Sequence, residues 1–292
     1  MPNTCVLKLI GILLMASTKV SNGFPPISSP IMDEATKSTQ MRMGGYDATI
    51  GVDPTTPIQF FTLPGNACPY AQRTHIVFNE LQVPVDVIEV SGMPKPEWFL
   101  RINPQGKVPT MRVPSRLGQQ VITESAICNE FLCDYCGVLG KKQTLMPQDP
   151  VLRAQIRLLN DHCDNKFTKT QFTFLMNKDA ERDAELAGAM EDALLIYEES
   201  IKTHRGPFLL GGTFTLADVH IYPFILRLIV TMRHFKNYYL PADKFPRLLA
   251  WFETCSQLDS IRAATLTEEK IIELYNRFFE VNYKFGGLNQ NK

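Results

Sequence analysis

From Ile58 onward, short apolar runs alternate with amphipathic stretches. Ile58-Gln59-Phe60-Phe61-Thr62-Leu63 is rich in aromatic and β-branched residues and predicts a strand. Pro64-Gly65-Asn66 is turn chemistry. Tyr70 to Leu81 lacks Gly and Pro and sets Ile76, Val77 and Leu81 among polar residues, which predicts a helix. Val85 to Val90 intersperses apolar and acidic positions and predicts a second strand. Pro96 to Ile102 is a short helical piece. Thr110 to Val113 and Gln120 to Thr123 flank turn residues at Arg116 to Gly118, which predicts a hairpin, and Ser125 to Tyr135 predicts the next helix.

The order is therefore β-α-β followed by β-β-α. One parallel crossover, then a hairpin and a closing helix, is the thioredoxin-like arrangement. After Gly140 the pattern is almost wholly helical. Pro147 to Pro150 reads as a linker, followed by helices over Val151 to about Met176, Ala180 to about Thr203, Thr215 to about Met232, Pro246 to about Cys255 and Thr267 to Phe279. Thr215-x-x-Asp218 precedes an apolar run and reads as a helix cap with an acidic residue in the first turn. The fold class is α/β plus all-α. A thioredoxin-like domain over residues 56–140 precedes an all-helical domain over residues 149–285. Residues 1–50 stand apart. Val6 to Ala16 is mostly apolar but contains Lys8, and Ser-, Met- and Pro-rich chain follows. Two readings stay open for this stretch, a cleavable targeting leader or a disordered extension.

Composition changes little in this picture. The 292 residues carry 30 basic and 30 acidic side chains, so charge gives no reason to expect nucleic acid or a membrane surface as partner. No stretch reaches the roughly 18 consecutive apolar residues of a spanning helix. The seven cysteines are odd in number in a chain too long to need disulfide staples. That favours a reducing compartment, with a cytoplasmic location expected and an organelle as the alternative if the leader is real.

Cys68 is the residue that carries chemistry. It lies between a predicted strand and a predicted helix and is followed by Pro69. Proline suits the first helical position because its missing N–H is not needed there. Cys68 is thereby placed at the N-cap, where unpaired amides and the positive end of the helix dipole favour an anion. A thiol so placed is expected to have its pKa lowered to about 3.5–7.5 and to react as a thiolate. Arg73, one turn on, adds positive potential. An isolated cysteine is more often an inert core residue; the strand, turn and proline around Cys68 reverse that expectation. Three residues on, where many redox enzymes carry a second cysteine, stands Ala71. The thiol that resolves a mixed disulfide at Cys68 must therefore come from outside, and glutathione is the natural candidate.

Cys68-Pro69-Tyr70-Ala71-Gln72-Arg73, Lys95-Pro96-Glu97-Trp98-Phe99, Asn103-Pro104-Gln105-Gly106-Lys107-Val108-Pro109 and Glu124-Ser125-Ala126-Ile127 occur in that order. In motif and spacing the chain resembles the omega-class glutathione transferases from about Ile58 to Leu274. The resemblance implies thioltransferase and dehydroascorbate reductase activity, with glutathione as substrate and no separate cofactor or metal. It implies Cys68 as the catalytic residue and Lys95, Val108, Glu124 and Ser125 as the glutathione site. Val108-Pro109 would be cis and present Val108 backbone groups to the tripeptide, Ser125 would take the γ-glutamyl carboxylate at a helix start, and Lys95 would face the glycyl end. Trp251 would line a second site for a small electrophilic or oxidised substrate, with a core tryptophan as the alternative. The resemblance further implies a homodimer without stable membrane insertion. Tyr70, where the family commonly has Phe, and the long N-terminal extension depart from the pattern.

Other residues read as structural. Cys133-x-x-Cys136 ends a predicted helix rather than starting one, and no second pair at zinc spacing accompanies it. Asp161, His162, Cys163 and Asp164 are neighbours on a predicted helix, where adjacent side chains diverge, so no metal site is expected. Two rival functions remain at this level: a non-catalytic docking module of the same fold, and a transferase that conjugates glutathione through the thiol of the tripeptide itself.

Overall fold

The computed structural model describes residues 52, 56–92, 94–115, 118–142 and 145–281. The stretch read as leader or extension lies outside the described residues, as do Arg116 and Leu117 of the hairpin turn. Four strands form one mixed sheet: β1 (Ile58–Thr62), β2 (Val85–Glu89), β3 (Thr110–Ser115) and β4 (Gly118–Thr123). Their spatial order is β2-β1-β3-β4, with β1 parallel to β2 and antiparallel to β3, and β4 antiparallel to β3. The parallel pair requires a crossover, supplied by α1 (Pro69–Leu81). The short α2 (Glu97–Ile102) precedes β3, and α3 (Ser125–Val138) closes the domain.

Consecutive strand residues point to opposite faces of a sheet, and β1 is apolar on both. Ile58 and Phe60 join the main core beneath α1 and α3, while Phe61 packs with Val90 and Phe99 against α2. The helical domain follows as α4 (Pro150–His162), α5 (Thr168–Met176), α6 (Asp183–His204), α7 (Leu216–Lys236), α8 (Pro246–Ser256), α9 (Asp259–Arg262) and α10 (Glu268–Glu280). Helix α7 is its centre, buried nearly continuously from Leu216 to Met232. It packs against α1, so the helix that begins at Cys68 is shared by both halves of the molecule.

The capping box at α7 is present as the sequence predicts. Thr215 Oγ1 accepts from the Ala217 amide, and the Asp218 carboxylate accepts from the Thr215 amide at 2.8 Å. Two details differ from expectation. The single helix predicted over Val151 to Met176 is broken by a π-helical turn at Cys163–Phe167, and the four-residue α9 has no advance signal. A π turn inserts an extra residue into the helical repeat, which rotates the side chains there away from their expected face. Here it turns Cys163 and Asp164 toward α1.

Candidate active site

Strand β1 runs into a tight 3-10 turn at Pro64–Asn66, in which Gly65 (φ 61°) and Asn66 (φ 59°) are both left-handed. Glycine and asparagine are the residues that tolerate this region best. The turn delivers Cys68 to the N-cap of α1 in an extended conformation, with Pro69 at the first helical position and the Gln72 amide bonded to the Cys68 carbonyl at 2.9 Å. The half-buried Cys68 Sγ lies 3.6 Å from the Val108 carbonyl oxygen, to which it donates. Val108-Pro109 is a cis peptide, as the family resemblance implies.

The Cys68 thiol departs from the sequence expectation. Burial pushes its pKa up, and the opposing Ala71 and Tyr70 amides and the Arg227 and Arg73 guanidiniums do not reverse it. The sequence reveals the helix end but not the depth at which the sulfur sits, and desolvation disfavours a thiolate. Because the thiolate is the reactive form, alkylation of Cys68 by iodoacetamide should keep accelerating from pH 7 through pH 9. A rate that levels off below about pH 7.5 contradicts this.

The other predicted residues converge on the same end of the sheet. Phe61 at the end of β1 pairs with Thr110 at the start of β3, and Thr110 pairs with Thr123 at the end of β4. Cys68 and Val108 lie on the connections at that edge, and Glu124 and Ser125 lie where β4 passes into α3. Glu124 holds φ 66° and ψ 119°, an unfavourable backbone for a non-glycine residue, between β4 and the first turn of α3. Ser125 is 6% exposed. Lys95 Nζ donates to the Val90 carbonyl at 3.2 Å; burial lowers its pKa and a charge on Cys68 would raise it. Gly106 (φ 63°) lies against the Lys95 side chain, where a Cβ would come within 3.4 Å of Lys95 Cγ. Trp251 does not join this group. It is 1% exposed, and its indole N–H donates to Asp218 Oδ1 at 2.8 Å, so its contacts are those of the core alternative.

The matches to known families fit this geometry. A model described as "Glutathione S-transferase, N-terminal domain" matches residues 67–134, and one described as "Glutathione S-transferase, C-terminal domain" matches residues 157–259. The chain belongs to the glutathione S-transferase family. Pyrimidodiazepine synthase of Drosophila melanogaster is 30% identical over 207 residues, covering 69% of this chain and 79% of that protein. Glutathione S-transferase DHAR2 of Arabidopsis thaliana is 29% identical over 174 residues, covering 60% and 73%. Among solved structures, glutathione transferase Omega 3C from Trametes versicolor has the same fold, with a TM-score of 0.67 at 24% identity over 78% of this chain and 92% of that one. Among the described residues, no helix of this transferase is long and apolar enough to cross a membrane.

Two neighbours of the site, Arg227 and His220, were not singled out by the sequence, and Asp164 was read there only as a residue of a helix face. Arg227 on α7 is wholly buried, and its guanidinium donates to Gln72 Oε1 at 2.7 Å and to the Ala67 carbonyl at 3.2 Å. It therefore pins the residue before Cys68 from the helical domain. Cys163, Asp164 and His220 bring three metal-type donor atoms within 4.8 Å of one another. The Arg73 guanidinium fills that space, with Nη2 2.8 Å from Asp164 Oδ1 and 3.5 Å from Cys163 Sγ. His220 Nε2 lies 3.1 Å from Asp164 Oδ2. Burial, then the Arg73 charge, pushes His220 down to about 4, so it is neutral at pH 7 and donates to the carboxylate. A cation is already present among these donors, and it is an arginine.

Proposed function

We propose that this transferase is a glutathione-dependent thiol transferase and dehydroascorbate reductase with Cys68 as its single attacking thiol. The observation that carries the reading is the placement of Cys68 at the N-cap of α1 with a fully buried Ala71, not a cysteine, one turn on. In thiol transfer, the Cys68 thiolate attacks the glutathionyl sulfur of a mixed disulfide. A Cys68–glutathione disulfide forms, and the substrate thiolate leaves and takes up a proton. A second glutathione thiolate then attacks that disulfide, releasing oxidised glutathione and restoring Cys68. With dehydroascorbate, two glutathione molecules are oxidised to one disulfide as the substrate gains two electrons and two protons. The α1 amides and Arg227 stabilise negative charge on Cys68 whenever it departs as thiolate.

Lys95, Val108, Glu124 and Ser125 would hold glutathione along the edge described above. The Val108 backbone would pair with the tripeptide as an added strand, and the α3 start would take its γ-glutamyl carboxylate. A homodimer is proposed as well. Ile127 on α3 and Val151 and Leu158 on α4 are exposed apolar side chains, and Arg157 joins α4 to α3 through Glu130 at 2.6 Å. Sedimentation equilibrium tests this, and a monomer at micromolar concentration rejects it. A reducing compartment is proposed because all six cysteines among the described residues are free.

Mass spectrometry of protein treated with oxidised glutathione tests the main reading. One glutathione adduct on Cys68, removed by a reductant, is the expected result. No adduct on Cys68, with the protein still retained on immobilised glutathione, would instead favour the docking or conjugating reading.

A further inference from the structure

Arg73 is, with Arg227, one of two arginines buried among the described residues, and the mechanism above does not use it. Its side chain is fully buried and lies between the rings of Tyr70 and Phe224, 4.9 and 4.6 Å from their centroids. From α1 it reaches three other elements. Nε donates to the His220 carbonyl at 2.7 Å, Nη2 donates to Asp164 at 2.8 Å, and Nη1 donates to Ser125 Oγ at 3.1 Å. Asp164 is the only carboxylate in this set. Burial pushes its pKa up, but the His220 hydrogen bond and the Arg73 charge more than reverse this and hold it well below the usual carboxylate range. The ion pair therefore persists throughout the neutral range.

The contact with Ser125 has a directional consequence. A guanidinium has donors and no acceptor, so Ser125 Oγ must accept from Arg73. The serine proton is then turned away from Arg73 and is free to donate to an anion at the start of α3. That is the place proposed above for the γ-glutamyl carboxylate. A hydroxyl polarised by a charged donor is itself a stronger donor.

We infer that Arg73 is a positioning residue for glutathione, held by Asp164 and His220 of the helical domain and acting through the Ser125 hydroxyl on the γ-glutamyl carboxylate. The contact between the two domains is thus part of the substrate site. One helix carries both the reacting thiol at its start and, five residues on, the residue that orients the far end of the substrate. This rests on the glutathione reading of Cys68 and Ser125.

The test is a double-mutant cycle on glutathione affinity, measured calorimetrically for wild type, Arg73→Lys, Ser125→Ala and the double variant. The same proteins are titrated with a glutathione analogue whose γ-glutamyl carboxylate is a carboxamide. Each single substitution is expected to weaken glutathione about tenfold and to have little effect on the already weaker analogue. The double variant should bind about as Ser125→Ala does, because both changes remove one interaction. Additive losses, or a loss equal for glutathione and analogue, overturn the inference. Should Arg73→Lys fail to fold, Asp164→Asn takes its place. It keeps the shape of a partly exposed side chain but frees Arg73, and it should weaken glutathione about threefold or more while sparing the analogue; unchanged affinity overturns the inference. Failure of wild type to bind glutathione removes the underlying reading as well. Binding by wild type with additive losses removes the role of Arg73 alone.

Discussion

Cys68→Ser is expected to lower glutathione-dependent reduction of a mixed disulfide by roughly 10³-fold or more while leaving the melting temperature nearly unchanged. A hydroxyl in place of the thiol cannot ionise near neutrality and cannot form the disulfide on which the cycle depends. Serine is close to cysteine in shape and can keep the bond to the Val108 carbonyl, so little packing is lost. Glutathione affinity should survive, because the proposed contacts of the tripeptide lie at Lys95, Val108, Glu124 and Ser125. Loss of turnover with binding retained is the signature to look for in paired kinetic and calorimetric measurements. Retention of full activity would end the single-thiol mechanism. It would also redirect attention to buried cysteines such as Cys163, which burial pushes up to about 12 and which is poorly placed to react.

The second large effect concerns stability. Asp218→Ala is expected to destabilise the protein by about 3–5 kcal/mol. Asp218 is fully buried, and its carboxylate accepts from the Leu209 amide, the Thr215 amide, the Thr215 hydroxyl and the Trp251 indole, all within 3.0 Å. Alanine would leave the two amides and the indole N–H without that partner at the start of the central helix. At about 2–4 °C per kcal/mol for a chain of this size, the melting temperature should fall by roughly 6–20 °C. Thr215→Ala removes the cap acceptor and one of the four donors to Asp218, and should cost about 1 kcal/mol. Thermal melts of the two variants check the ranking; equal shifts would mean that the carboxylate acts only as a cap. Trp251→Phe, which removes the indole donor but keeps a ring, is expected to fall between them.

Much of this was legible in the chain because it is local. Alternation at Val85–Val90, the apolar run at Ile58–Leu63 and the Gly- and Pro-free stretch after Pro69 each encode one element, and a proline after Cys68 encodes a helix start. The Thr215 capping box is likewise written in four consecutive residues. The π turn at Cys163–Phe167 was not legible, since its residues have ordinary helical composition and what distinguishes it is the pairing of Cys163 and Asp164 with Arg73, ninety residues away in sequence. Trp251 is a case that the sequence leaves open between a substrate pocket and the core; its burial and the bond from its indole N–H to Asp218 are those of the core alternative, and both depend on residues distant in sequence.

The sequence by itself determined the order of elements, the position of Cys68 at a helix end and the want of a second cysteine at residue 71, since each depends on neighbours within a few positions. Only the tertiary structure decided how deeply the sulfur sits. The thiol is raised rather than lowered, because desolvation depends on everything packed around it. Only the tertiary structure, too, turned Arg73 from a source of diffuse positive potential into a fixed donor to Ser125. The bonds to His220 and Asp164 that hold Arg73 in place exist only after the two domains have closed on one another.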